Sequence, residues 1–212
     1  MSNKQHYEGS RITVYFDASR CIHAGRCVKG LPDVFRAGTE GPWIFPDAAS
    51  ADEIAALCST CPSGALTCHR TDGGAEEAGP EINTISVEVD GPLCVHADFT
   101  LDGEDPGSFR ATLCRCGASK NKPWCDDSHT EAGFSDPGDV PLFNPDAETD
   151  TGRLDIKPFK NGPLFMAGPL SIRDSHGQTV RVCDKTVLCR CGGSRHKPYC
   201  DGTHAEIEFK SE

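Results

Sequence analysis

The chain has 212 residues, a formal net charge of −11 and a sequence pI near 5.1, so phosphate backbones would repel it and nucleic-acid binding is excluded. Hydrophobic residues make up 37% and aromatics 7%, beside 22 glycines and 15 prolines, which argues against one large core and for small units tied by something besides apolar burial. There are 13 cysteines, the first ten residues are polar with no signal-peptide core, and no apolar stretch is long enough to span a membrane. The expectation is a cytoplasmic chain without membrane contact, whose reduced thiols ligate metal rather than form disulfides.

In chain order, residues 12–16, Ile-Thr-Val-Tyr-Phe, read as a strand. Cys21-Ile-His-Ala-Gly-Arg-Cys27 follows, and a helix is expected from about Cys27 to Val34. Ser50-Ala-Asp-Glu53 is a capping-box signature before Ile54-Ala-Ala-Leu57, so a second helix starts there. Cys61-Pro62 comes next, and Ala65 to Cys68 reads as a closing strand. Residues 10–70 resemble the divergent single-cluster ferredoxin-like domains. The usual ferredoxin run is C-x2-C-x2-C with a distant Cys-Pro. Cys21 and Cys27 keep the outer positions, Cys61 keeps the distant one, and Ala24 stands where the middle thiolate would be. The resemblance implies a cluster on Cys21, Cys27 and Cys61. Three thiolates suit a [3Fe–4S] cluster; a [4Fe–4S] cluster needs a substitute ligand, with His23 and Cys58 nearest. The alternative is a domain that folds empty.

Residues 71–89 read as a linker, rich in Gly, Glu and Pro. An internal repeat follows. Residues 114–129, CRCGASKNKPWCDDSH, and 189–204, CRCGGSRHKPYCDGTH, are identical at ten of 16 positions. Cys114, Cys116, Cys125 and His129 recur as Cys189, Cys191, Cys200 and His204. Gly91-Pro92-Leu93 upstream answers Gly162-Pro163-Leu164, which bounds the two units at 90–134 and 161–209, with 135–160 as a second linker.

In C-x-C, two sulfurs can grip one metal where the backbone turns, and Gly117 and Gly192 permit that turn. Asp126 and Asp201 suit the start of a short helix. On it Cys125 and His129, four apart, share a face, as do Cys200 and His204. Cys114 with Cys116 on one iron and Cys125 with His129 on another is the expected arrangement, repeated in the second unit. Three sulfurs and a nitrogen also make an acceptable tetrahedral zinc set, so a structural zinc protein is an alternative. The full pattern, C-x-C-x-x-S-x-x-x-P-x-C-D-x-S/T-H, resembles the mitoNEET-like CDGSH iron–sulfur family. The resemblance implies two [2Fe–2S] clusters, each on three Cys and one His. The first repeat departs from the family in having Asp127 where Gly is usual, a residue expected to need a non-glycine conformation and to make the clusters unequal.

Cys68, Cys94 and Cys183 sit in strand-like contexts and read as small buried apolar residues. Trp124 and Tyr199 occupy equivalent positions and are expected to shield the clusters. Arg115, Lys120, Lys122, Arg190, Arg195 and Lys197 are expected to offset anionic clusters, or alternatively to dock an acidic partner. No nucleophile triad, phosphate-cradling loop or paired catalytic carboxylates can be named, so the chain is expected not to be an enzyme. The expected fold is α+β: a small N-terminal ferredoxin-like α/β domain, then two β-rich units forming an intramolecular pseudo-dimer with a β cap. Such a chain would be monomeric with internal two-fold pseudosymmetry. The expected function is one-electron transfer to a redox partner protein. The alternative is a cluster donor to an apo iron–sulfur acceptor, or a redox or pH sensor with acid-labile clusters, since a ligating imidazole must be unprotonated.

Overall fold

Alternation in Ile12-Thr-Val-Tyr-Phe puts Ile12 and Val14 on one face of a strand, where both are buried. In the computed structural model, which describes residues 4–148 and 150–211, this strand is central in the first of two units, Met1–Ala78 and Gly79–Glu212. Strand β1 (Lys4–Glu8) and strand β3 (Leu66–Arg70) flank β2 (Ile12–Asp17), all antiparallel. Helix α1 (Arg26–Gly30) and helix α2 (Ala51–Cys58) lie between β2 and β3 in sequence. The capping box forms: Ser50 Oγ accepts from Glu53 N, and the Glu53 carboxylate accepts from Ser50 N. Ile54 and Cys58 on α2 pack with Ile12, Val14, Phe35 and Leu66 in one core.

Two features differ from expectation. The helix expected to reach Val34 stops at Gly30, because Pro32 drives Leu31 out of the helical region, to φ −135°. Val34 and Phe35 then turn into the core, and Phe35 bridges to Ile44. The unit also begins earlier than residue 10: β1 is an exposed edge strand, Lys-Gln-His-Tyr-Glu, with no apolar alternation to announce it.

In the second unit, the described residues form a seven-stranded sheet. The first repeat supplies β4 (Thr84–Val87), β5 (Leu93–His96), β6 (Phe99–Leu101) and β7 (Arg110–Leu113); the second supplies β8 (Leu154–Pro158), β9 (Leu164–Arg173) and β10 (Thr179–Leu188). Both expected linkers therefore contain a strand, β4 within 71–89 and β8 within 135–160. Each pairs with the strand that follows the next turn: β4 with β5, and β8 with β9. The repeats also exchange pairings. β6 of the first runs parallel to β8 of the second, and the end of β9 runs parallel to β4 of the first. Leu93, Val95 and Leu113 from one repeat and Leu164, Met166 and Leu188 from the other share one core. The two repeats are thus one folded unit rather than two beads.

Asn83, buried just before β4, joins three segments. Its amide donates to the carbonyls of Gly152 and Pro169, both at 2.8 Å, and its carbonyl accepts from Asp98 N at 3.0 Å. Truncation leaves these groups short of partners in a buried place, each costing about 1–3 kcal/mol. Asn83→Ala should lower stability by about 2–4 kcal/mol. Thermal unfolding of the full chain checks this, and an unchanged midpoint would show that these bonds do not bind the repeats together.

Candidate metal centres

Each ligand loop begins where a strand ends. Cys114 follows β7 and Cys189 follows β10. Cys114 N donates to Pro123 O and Cys189 N to Pro198 O, so each loop folds back on itself. Cys125 N donates to Thr112 O and Cys200 N to Val187 O, fixing the third cysteine beside the first. Ser119 and Ser194 donate their hydroxyls to the carbonyls of Trp124 and Tyr199, at 2.7 and 2.6 Å. Single-turn helices α3 (Ser128–Glu131) and α4 (Thr203–Glu206) then carry His129 and His204. Asp127, preceding α3, adopts φ +71°, the left-handed region that Gly202 occupies at φ +91°. The expected non-glycine conformation is not what is found; aspartate tolerates the left-handed turn because its short polar side chain suits it.

The donors approach in pairs. Cys114 and Cys116 sulfurs are 3.7 Å apart, and Cys189 and Cys191 likewise. Cys125 Sγ lies 3.4 Å from His129 Nδ1, and Cys200 Sγ 3.4 Å from His204 Nδ1. Two sulfurs on one tetrahedral metal at about 2.3 Å are separated by about 3.8 Å, and a sulfur–nitrogen pair by slightly less, so each pair has the bite of one metal. Among the described residues no three His, Cys, Asp or Glu side chains form a group able to hold a single ion. Backbone N–H groups of Ala118, Asp127 and Gly193 point at the sulfurs of Cys116, Cys125 and Cys191, each at 3.4 Å. Such bonds favour thiolates, yet burial pushes the Cys125 thiol up to about 11 and raises Cys200 too. In the first pair the Cys116 thiolate accepts from Cys114, which lowers Cys116 and raises Cys114. Without a cation Cys114, Cys125 and Cys200 hold their protons; a metal displaces them.

The loops meet each other. Cys116 and Cys191 form an antiparallel bridge. A Cβ on Gly117 would lie 2.5 Å from the Cys191 carbonyl oxygen, and one on Gly192 would strike the Cys116 carbonyl as closely. Both glycines also have positive φ, so they serve a close approach as well as a turn.

Arg115 and Arg190 are 1% and 3% exposed, which removes them from any docking surface. Arg115 donates to the carbonyls of Gly91 and Glu88, at 2.9 and 2.5 Å; Arg190 donates to those of Gly162 and Phe159, at 3.0 and 2.5 Å. Each guanidinium lies over the Phe after its own motif helix, Phe134 or Phe209. Those same rings receive the ammonium of the other repeat, Lys197 over Phe134 and Lys122 over Phe209. The equivalence breaks at one place. Arg115 also ion-pairs with Asp136, whereas Ser211, in the corresponding position, gives Arg190 no carboxylate. Asp127 adds a second inequality, lying 3.2 Å from His129 Nε2 where the second repeat has Gly202. Trp124 and Tyr199 pack against the shared sheet core, and Cys183 with them. Cys68 and Cys94 are half-buried on strands.

In the first unit, Cys21, Cys27 and Cys61 line one cavity of about 490 Å³. Burial raises the Cys21 and Cys27 thiols, and the negative charge of Cys61 raises both further. Backbone N–H groups of His23 and Val28 oppose this at Cys21 and Cys27. Three converging thiols with amide donors around an apolar hollow fit an iron–sulfur cluster.

Residues 7–71 match the family of divergent 4Fe–4S mono-cluster domains, and residues 90–130 and 161–205 each match the iron-binding zinc finger of CDGSH type. The chain thus carries two CDGSH-type iron-binding domains and a divergent 4Fe–4S mono-cluster domain. It is an iron–sulfur protein. The uncharacterized protein YjdI of Escherichia coli K12 is 42% identical over 60 residues, which is 28% of this chain and 78% of that protein; YjdI of Escherichia coli O157:H7 matches to the same extent. No solved structure matches. Of the residues named from sequence, the structure pairs Cys114 with Cys116, Cys125 with His129, Cys189 with Cys191 and Cys200 with His204, and it puts Cys21, Cys27 and Cys61 on the wall of one cavity. Sequence reading did not find Phe134, Phe209 and Asp136, which lie beyond the motifs; the only signal was that an aromatic follows each motif histidine by the same five residues.

Two outcomes test the CDGSH packing. Gly117→Ala adds left-handed strain of about 1–2 kcal/mol and a backbone clash, whereas Gly133→Ala, at φ +61° with nothing within 4 Å, adds the strain alone. Gly117→Ala should therefore lower the melting temperature more and reduce iron retention. Asp136→Ser leaves Arg115 as Arg190 naturally is, with carbonyl partners only, and should cost about 2–4 kcal/mol in thermal unfolding; no loss would mean that the carbonyls suffice.

Proposed function

We propose that each CDGSH motif holds one [2Fe–2S] cluster and that the chain is a one-electron carrier. The observation that carries this is the pairing of donors: two S–S pairs at 3.7 Å and two S–N pairs at 3.4 Å, with no single-ion group of three among the described residues. A zinc ion needs its four donors around one point. A two-iron cluster needs one pair per iron, the sulfides completing each tetrahedron. When bound, such clusters supply one-electron chemistry. The chain's part is to replace one thiolate per cluster with a neutral imidazole, which raises the potential relative to four cysteines. It also brings the two sites back to back through Gly117 and Gly192. Reciprocal strand pairing and the cross-packed Phe134 and Phe209 support an intramolecular pseudo-dimer, with the seven strands as its β cap. The N-terminal cavity would hold a third cluster. The partner is a redox protein, and no catalytic role is assigned to any residue.

A second reading, cluster donor or redox sensor, is favoured by His129 and His204 lying near the surface rather than deep in the core. The first experiment is iron, acid-labile sulfide and zinc per chain after anaerobic purification. About seven or eight irons are expected, four of them in the CDGSH motifs. About four would leave the N-terminal cavity empty, and zinc without sulfide would overturn the proposal. Repeated reduction and reoxidation with full retention of visible absorbance is expected of a carrier. Rapid transfer of the clusters to an apo-ferredoxin would favour the donor.

A further inference from the structure

A four-iron cluster takes four protein ligands in the usual ferredoxin arrangement, and the N-terminal cavity offers three thiols. Ala24 carries only a methyl group at the missing position. Of the two substitutes near in sequence, Cys58 is 1% exposed, belongs to the core between α2 and the sheet, and does not line the cavity. His23 does line it. Among the described residues around this cavity it is the one imidazole, and no carboxylate is present. Ser63 is engaged with Cys61 Sγ and Ala65 N, and Thr60 donates its hydroxyl to Leu57 O.

The loop that carries His23 is shaped around the cavity. His23 adopts φ +52° and Gly25 φ +71°, so the chain between Cys21 and Cys27 turns twice through the left-handed region. That region is uncommon for histidine and costs about 1–2 kcal/mol. The His23 amide supports the Cys21 sulfur. Its imidazole has no hydrogen bond, ion pair or ring contact among the described residues. An exposed imidazole with no protein partner, held at the mouth of a three-thiol cavity, is a free donor of the right chemistry for iron.

We propose that His23 is the fourth protein ligand of a [4Fe–4S] cluster held by Cys21, Cys27 and Cys61. This rests on the reading that the N-terminal domain holds a cluster, and it makes all three sites of the chain three-thiolate, one-imidazole sites. With one thiolate fewer, the cluster carries one negative charge fewer than its all-cysteine counterpart.

The full chain, purified anaerobically, is compared with His23→Ala and His23→Cys by iron content and electron paramagnetic resonance. Wild type should contain about eight irons. His23→Ala should lose about one and show, as isolated, the signal of an oxidised three-iron cluster. His23→Cys should keep the four-iron cluster with its reduction potential shifted downward. Retention of all iron with an unchanged spectrum in His23→Ala would overturn the assignment. Loss of the cluster in both variants would also overturn it, since position 23 would then serve the fold rather than the iron. A wild-type chain with about four irons would instead defeat the underlying reading that this domain holds a cluster.

Discussion

The contact on which the C-terminal unit depends is backbone against backbone. Gly117 lies on the carbonyl of Cys191, and Gly192 on that of Cys116. No side chain fits at either position, so the two C-x-C loops are locked at one separation and one orientation. The rest of the unit accommodates this. Strand exchange between the repeats ties them into one sheet, and the ligand loops that leave the ends of β7 and β10 meet at Cys116 and Cys191. A single repeat would expose the strand edge that its partner covers, and would leave its C-x-C loop without a facing surface.

Charge is organised by the same relation. Buried thiolate and sulfide charge needs nearby cations, and a buried guanidinium needs acceptors. Arg115 and Arg190 answer both needs, each using turn carbonyls from the start of its own repeat as acceptors. Each is roofed by a Phe that the other repeat's lysine also touches, so the charge layer crosses between repeats. Asp136 and Asp127 make the two halves unequal in the same sense, each adding negative charge to the first repeat. Asp136 lies beside a guanidinium with its side chain 16% exposed, whereas Asp127 lies beside the motif histidine His129 at 47%. Screening weakens the second per unit distance, but its contact with His129 is direct, so both act on the balance between the sites.

The ligand sets were legible because cysteine and histidine at fixed spacing are rare and their chemistry is narrow. The helix after Ser50 was legible for a similar reason, since a capping box names its own hydrogen bonds. What was hidden depended on distance along the chain. β4 and β8 are short strands inside stretches rich in Gly, Pro and Asp, and part of their order comes from the other repeat, Ser171 opposite Thr84 and Phe99 opposite Leu154. The end of α1 was misjudged because apolar periodicity continued through Val34 while Pro32 ended the helix. Asp127 was misjudged because aspartate, with its short polar side chain, tolerates the left-handed turn that glycine makes in the second repeat.

The lean composition now has a physical meaning. The apolar core of the second unit is a sheet core; the ligand loops lie outside it, with Cys116, His129, Cys191 and His204 only half-buried. The loops reach that core through Trp124 and Tyr199. The rest of their order comes from carbonyl–arginine bonds, from the glycine contact, and from bonds to metal that form only after the thiols lose their protons. Burial raises Cys125, Cys191 and Cys200, so without metal the neutral thiol is the stable form and the loop lacks its strongest tie. Loading a site therefore contributes folding energy as well as function. The same holds in the first unit, where Cys21 and Cys27 lie on a loop shaped by two left-handed residues around a cavity. In both units the apolar residues build a platform, and the metal completes the loops that the platform presents.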